Sequence, residues 1–105
     1  MQTEIKAWLE TTTMKVAEDR FLKPPALPYI VFADSVDVSG ADNINNVTSR
    51  NISVEMYSAT IDRNSEQKVE DLLNTKGISY TKYRTWLGTE MFFQTVYDFN
   101  LIEKI

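Results

Sequence analysis

Apolar residues near the N-terminus recur at a spacing that fits one face of a helix. The spacing, close to the 3.6-residue helical period, is carried by Ile5, Trp8, Leu9 and Val16. Three consecutive threonines at 11–13 are β-branched and weaken the middle of this segment. Pro24 and Pro25 end it, because proline lacks the amide donor that a helix needs. We therefore predict an N-terminal helix over residues 1–22.

The pattern then changes to that of two strands separated by a polar segment. Residues 29–33 (YIVFA) form a short apolar run that predicts a buried strand, and residues 47–60 alternate apolar and polar side chains. Between them, residues 34–46 are rich in Asp, Ser, Asn and Gly, which favour turns. We predict an antiparallel hairpin whose strands are joined by a long loop over residues 34–46.

A second helix and a second hairpin complete the chain. Asn64 or Ser65 can cap a helix with a narrow apolar stripe, and Gly77 is placed to end it in a left-handed conformation. Residues 78–87 and 91–102 predict two further strands with a turn at Gly88. In the first of these strands Tyr80 and Trp86 share a face with Lys82 and Arg84, while Tyr83 points the other way. Neither face is cleanly apolar, so we expect this strand to meet another surface.

Together these elements predict a single α+β domain over residues 1–105. The sheet has four strands and is mixed, and the N-terminal helix and the crossover helix pack on one face. A chain of 105 residues that is 43% hydrophobic can bury a core of this kind.

Composition excludes several function classes. The chain has no Cys and no His, so it cannot form a disulfide, a thiolate nucleophile, an imidazole base or a zinc finger. The three glycines are scattered, so no phosphate-binding loop is formed, and we expect neither a catalytic site nor a cofactor or metal. Its net charge of −4 argues against a protein that coats DNA. With no signal-peptide pattern, we expect a soluble protein without a membrane partner.

Two residue clusters have a functional and a plainer interpretation. Asp34, Asp37 and Asp42 could bind calcium but lack the spacing of a calcium loop, so a solvated acidic loop is the favoured interpretation. A group of rings with two nearby cations could instead stack RNA bases, although core packing explains most of the rings. This second group comprises Tyr80, Lys82, Tyr83, Arg84, Trp86, Phe92 and Phe93.

Charge is unevenly distributed along the chain. Residues 1–62 contain five basic and nine acidic side chains, whereas residues 63–105 contain six of each. Between residues 24 and 49 there is no Lys or Arg. The 34–46 segment is therefore either an ordinary soluble loop or a surface that repels anions or pairs with a basic partner.

From residue 25 to residue 99 the sequence resembles the tail-completion and tail-terminator proteins of tailed phages and prophages of Gram-positive bacteria. The resemblance rests on an ordered series rather than on one motif. The series comprises PALPYIVF at 25–32, GADN at 40–43, ISVEMY at 52–57, VEDLL at 69–73, GISYTK at 77–82 and QTVYDF at 94–99.

The resemblance implies a structural virion protein without catalysis, made in the host bacterial cytoplasm. Such proteins form a hexameric ring at the head-proximal end of the tail tube, contact the tube protein and the neck or connector proteins, and let genome DNA pass without specific binding. The 34–46 segment would face the lumen or a neighbouring ring, and β-strand residues near the C-terminus would lie between subunits. The expected lumen or partner residues are Asp34, Asp37, Val38, Gly40, Asp42, Asn43 and Ile44. The expected inter-subunit residues are Lys82, Arg84, Trp86 and Glu90.

Two alternatives remain at the level of the sequence. The chain could be a head-closure or connector adaptor protein of the same neck, which differs only in its docking partners. It could also be a host-side protein-binding module with no part in a virion. For Lys82 and Arg84, the alternative to an inter-subunit contact is that they are solvated charges guarding an edge strand.

Overall fold

The computed structural model describes the backbone of residues 2–39 and 47–104, and the side chains of residues 4–36 and 49–101. In chain order the elements are α1 (Gln2–Glu10), β1 (Lys15–Glu18), β2 (Tyr29–Ser39), β3 (Val47–Ser58), α2 (Arg63–Thr75), β4 (Thr81–Leu87) and β5 (Phe92–Lys104). The α+β class is confirmed. The described part of the sheet has five strands rather than four, in the order β1-β2-β3-β5-β4.

The sheet is mixed because of its first strand. β1 runs parallel to β2, and every other neighbouring pair is antiparallel. The predicted helix over residues 1–22 was therefore wrong in its extent, since α1 ends at Glu10 and residues 15–18 belong to the sheet. The threonines end the helix: the hydroxyl groups of Thr11 and Thr12 donate to the carbonyls of Trp8 and Leu9, at 2.6 and 2.7 Å.

The core lies between the two helices and one face of the sheet, here called the covered face. Ile30, Phe32 and Met56 are fully buried there, as are Val54 and Tyr97. Ile5 and Leu9 of α1 and Val69 and Leu73 of α2 complete this cluster. The opposite face of the sheet, here called the outer face, carries the alternate residues of each strand.

Both ends of α2 have clear local causes. Asp62, rather than the predicted Asn64 or Ser65, is the N-cap, and its carboxylate accepts from the Ser65 amide at 3.0 Å and from the Ser65 hydroxyl at 2.8 Å. At the other end Gly77 has a φ of 65°, and the amide of Ile78 donates to the Leu73 carbonyl at 2.9 Å. The predicted left-handed glycine after the helix is therefore confirmed.

The predicted loop over residues 34–46 was wrong for its first six residues, which belong to a strand. Residues 34–39 continue β2 and pair with residues 47–52 of β3, which in turn pair with residues 99–104 of β5. These three segments, here called the arm, extend past the ends of β1 and β4. Residues 40–46 lie outside the described residues, and so do the predicted positions Gly40, Asp42, Asn43 and Ile44.

Candidate assembly surface

Asp34, the first residue of the expected lumen segment, is buried on the covered face. It forms an ion pair with Arg50 across the β2–β3 ladder, and the Arg50 and Asp34 side chains are only 4% and 1% exposed. A second contact joins Arg50 Nε to the Asp34 carboxylate at 3.4 Å. Asp34 therefore cannot contribute free negative charge to a channel wall. Asp37 and Val38 lie in β2, and their side chains are outside the described set.

Lys82 and Arg84, two of the expected inter-subunit residues, are bound within their own chain. Both point from β4 towards α2 on the covered face. Arg84 donates to both carboxylate oxygens of Glu66, at 2.9 and 2.7 Å, and Lys82 Nζ lies 2.9 Å from Glu66 and 2.7 Å from Glu70. The hydroxyl of Tyr97 adds a 2.9 Å bond to Glu70. This network, here called the Glu66 cluster, fastens the terminal strand β4 to α2.

The charge of the Glu66 cluster is balanced, because two cations face two carboxylates. Burial by itself would raise the pKa of the Glu66 carboxyl, but the hydrogen bonds from Arg84 and Lys82 outweigh it and hold the pKa below its ordinary value. Burial would likewise lower the pKa of Lys82, and its bonds to Glu70 and Glu66 raise it instead. Each partner stabilises the charged form of the other, as in an ion pair that supports structure rather than acid–base chemistry.

The spacing of the charged residues along the sequence is a signal for this cluster. Lys82 and Arg84 are two residues apart in β4 and so lie on one face, the covered face, where an unpaired charge is costly and an acidic partner is required. Glu66 and Glu70 are four residues apart on α2 and thus share one side of that helix. The pairing within the chain does not test whether either cation also contacts a neighbouring copy.

Trp86 and Glu90 lie at the far end of the second hairpin. The Trp86 ring packs on Phe93 with centroids 4.8 Å apart, yet 47% of Trp86 is exposed. Glu90 is exposed in the turn and lines an open pocket of about 310 Å³ next to Phe92. The structure therefore leaves both residues accessible, and their role between subunits stays a prediction.

Most rings of the group considered for base stacking pack on other rings. Tyr80 packs on Tyr97, and Phe92 on Tyr57, with centroids 5.6 and 5.3 Å apart. With Lys82 and Arg84 held by carboxylates, the pattern fits the packing interpretation. Tyr83 differs: it is 48% exposed, and its hydroxyl lies 3.3 Å from Asp98 on the outer face.

A row of aromatic rings crosses the outer face from β2 to β5. Phe21, Tyr29, Tyr57 and Phe92 follow one another with centroid separations of 5.2–5.3 Å. Tyr57 donates to Glu55 at 2.7 Å and accepts from Gln94 at 3.1 Å. Burial, together with the bond to Glu55, raises the pKa of Tyr57 to about 12. The row thus packs four rings side by side on the outer face, on the side of the sheet away from α1 and α2.

An open groove of about 850 Å³ lies where the arm leaves the rest of the sheet. Its lining residues, which come mainly from β2, β3, β5 and the α2–β4 connection, include three aspartates but no Lys or Arg. Among the residues that the structure describes, no three acidic side chains converge as a metal site. Neither described helix is long and apolar enough to cross a membrane.

The comparisons with known proteins give a structural likeness alone. No family model matches the chain, and no curated protein matches it. Among solved structures, a chain from "Virion of native gene transfer agent (GTA) particle" superposes with a TM-score of 0.62 at 9% sequence identity. The superposition covers 92% of this chain and 84% of that one. At this identity the likeness shows that the two chains share a fold.

Proposed function

We propose that this chain is a structural virion protein that assembles as a ring at the head-proximal end of a phage tail tube. The observation that carries the proposal is the fold shared, over 92% of the chain, with a chain of a gene transfer agent virion. The ordered sequence resemblance to tail-terminator proteins, found over residues 25–99, supports the same assignment independently of that fold. In this role the chain ends tail growth and joins the tail to the neck.

The distribution of charge along the chain suits a ring through which DNA passes. Residues 24–49 contain no Lys or Arg, so a segment of this part that faces a channel would not hold DNA by ion pairs. With Asp34 neutralised by Arg50, the repulsion would come from Asp37 and Asp42. The tail tube protein and the neck proteins are the partners in this proposal, and genome DNA passes without specific binding.

The experiment is to delete the gene from the phage or prophage that carries it and to image the particles by electron microscopy. A tail terminator predicts tails of uncontrolled length and heads without tails. Tails of normal length beside unjoined heads would instead indicate the head-closure role. Normal joined particles would contradict any role in the neck and leave the host-side binding module. Re-expression of the wild-type chain, which should restore normal particles, is the control.

A further inference from the structure

The terminal strand β4 is an open edge of unusual composition. Among the described strands it pairs only with β5, and it contains neither proline nor glycine. Edge strands are usually protected by charges that point into solvent. Here both charged residues of β4 are turned into the Glu66 cluster, with side chains 31% and 25% exposed. Apolar surface remains on this hairpin, since Tyr83, Trp86 and Met91 are 48%, 47% and 69% exposed.

A second open edge lies on the opposite side of the sheet. β1 covers only residues 29–32 of β2, so residues 33–39 have no neighbour on that side among the described strands. Val36, in the middle of this segment, is 52% exposed. The open part of β2 and strand β4 are each seven residues long, which corresponds to about 23 Å of strand.

Backbone alternation shows which groups each edge presents. The carbonyl of Phe32 accepts from the Asp19 amide at 2.8 Å. Even-numbered residues of β2 therefore direct their N–H and C=O groups away from β3, towards the edge that β1 partly covers. The carbonyl of Leu87 accepts from the Met91 amide at 2.8 Å, so odd-numbered residues of β4 face β5. The outward groups on β4 are thus those of residues 82, 84 and 86, and those on β2 are 34, 36 and 38.

We propose that β4 of one copy pairs with residues 33–39 of β2 in a second copy, so that the sheets of neighbouring copies become continuous. This inference rests on the proposed ring. Asp34 is already paired with Arg50, and Lys82 and Arg84 with Glu66, so the contact brings no unpaired like charges of these residues together. It joins exposed apolar surface on both edges, since Val36 is 52% and Trp86 47% exposed. The contact joins two different edges, and such heterologous contacts form a ring when the rotation between neighbouring copies closes.

The topology gives the direction of the pairing, and full overlap of the two segments gives its register. β2 and β4 run in opposite directions within one sheet, so copies related by an axis along the strands place them antiparallel. Full overlap of the two seven-residue segments sets Arg84 opposite Val36, and therefore Thr85 opposite Ser35. The side chains of Thr85 and Ser35 are both exposed. Side chains directly opposite each other on antiparallel strands have Cβ atoms about 5 Å apart.

The natural absence of cysteine makes a disulfide test clean. The full chain is made as two variants, Thr85→Cys and Ser35→Cys, and each is oxidised alone and in an equimolar mixture at high protein concentration. The inference predicts a mixed disulfide dimer in the mixture only, and a ladder of linked copies from the double variant. A matched control pairs Thr85→Cys with Gln67→Cys, an exposed position on α2, and should not cross-link.

A backbone variant tests the same contact without cysteine. Val36→Pro removes an outward N–H and leaves the bonds to β3 in place, so it should weaken assembly by roughly tenfold or more. Val36→Thr keeps the N–H and should assemble like the wild type. Circular dichroism and thermal melting check that both variants fold.

Absence of the mixed cross-link, or unchanged assembly of a folded Val36→Pro variant, would overturn the inference. If light scattering still shows a ring, the proposed function survives that failure. If the wild-type chain forms no ring even on tail-tube ends, the proposed function fails as well.

Discussion

Replacement of Glu66 by Gln tests whether the Glu66 cluster holds β4 against α2. The substitution keeps the size of the side chain and removes its charge, while Lys82 and Arg84 stay in place. Glu66 is 2% exposed and accepts hydrogen bonds of 2.7–2.9 Å from both cations. Loss of one partner of a buried ion pair costs about 3–5 kcal/mol.

The expected cost here is smaller, because the two cations can regain part of their hydration. The Lys82 and Arg84 side chains are 31% and 25% exposed. We therefore expect Glu66→Gln to lower the free energy of unfolding by about 2–3 kcal/mol at pH 7. For a chain of this length, that corresponds to a fall in Tm of roughly 10 °C or more. Urea denaturation followed by circular dichroism gives the free energy directly.

Glu70→Gln is the matched control on the same helix. The Glu70 side chain is 19% exposed and meets Lys82 at the edge of the cluster, so its loss should cost about 1 kcal/mol or less. The cluster does not hold β4 against α2 if the free energy of unfolding of Glu66→Gln lies within about 0.5 kcal/mol of the wild-type value. The same conclusion follows if it is no lower than that of Glu70→Gln.

The pH dependence of the same variant has a defined sign. The folded-state pKa of Glu66 lies below its ordinary value of 4.5, so its ionised form stabilises the folded chain above that pH. This stabilisation is lost as the pH falls through the folded-state pKa. The difference in unfolding free energy between wild type and Glu66→Gln should thus be constant from pH 6 to 8 and shrink below about pH 4.5. A difference that grows on acidification would contradict the assigned pKa direction.

Three further experiments test other parts of the fold. Gly77→Ala should lower the free energy of unfolding by about 1 kcal/mol because φ is 65° there, although no atom lies within 4 Å of the added Cβ. Gly88→Ala should lower it little, since its Cβ would make an ordinary 3.7 Å contact, and urea denaturation of both variants makes the comparison. Arg50→Leu should remove the partner of the buried Asp34 carboxylate and destabilise the arm by about 3 kcal/mol. Amide hydrogen exchange should then rise more in the arm than in the strands that α2 covers, and equal rises in both would refute this. In ring-labelled NMR, Tyr57 should titrate near pH 12, and a midpoint near 10 would show that its burial and its bond to Glu55 are misassigned.

The sequence predicted the parts of the fold whose hydrophobic period is long or whose end is marked by a special residue. β3, α2 and β5 each present a regular apolar face, and Gly77 marks the end of α2. β1 was missed because four residues with one buried apolar side chain, Val16, carry no periodicity. Its position depends on parallel pairing with β2, which is a tertiary effect.

Residues 34–39, the β2 part of the arm, were mistaken for a loop for a related reason. Asp34 and its neighbours favour turns in isolation, and only the partner strand β3 and the charge of Arg50 make an extended, buried Asp34 favourable. The same limitation applied to the candidate interface. Lys82 and Arg84 were recognised as unusual for a sheet, but single-sequence reasoning could not show that Glu66 and Glu70 of the same chain face them.

The central claim, a ring that ends a tail tube, is tested most directly by the mass of the assembled protein. Light scattering is measured on the purified full chain alone and after mixing with tail tubes from its own phage, with tubes from an unrelated phage as the control. The account predicts a closed ring, either free in solution or formed on the ends of its own tubes. A chain that stays monomeric under both conditions and does not bind the tubes would contradict it.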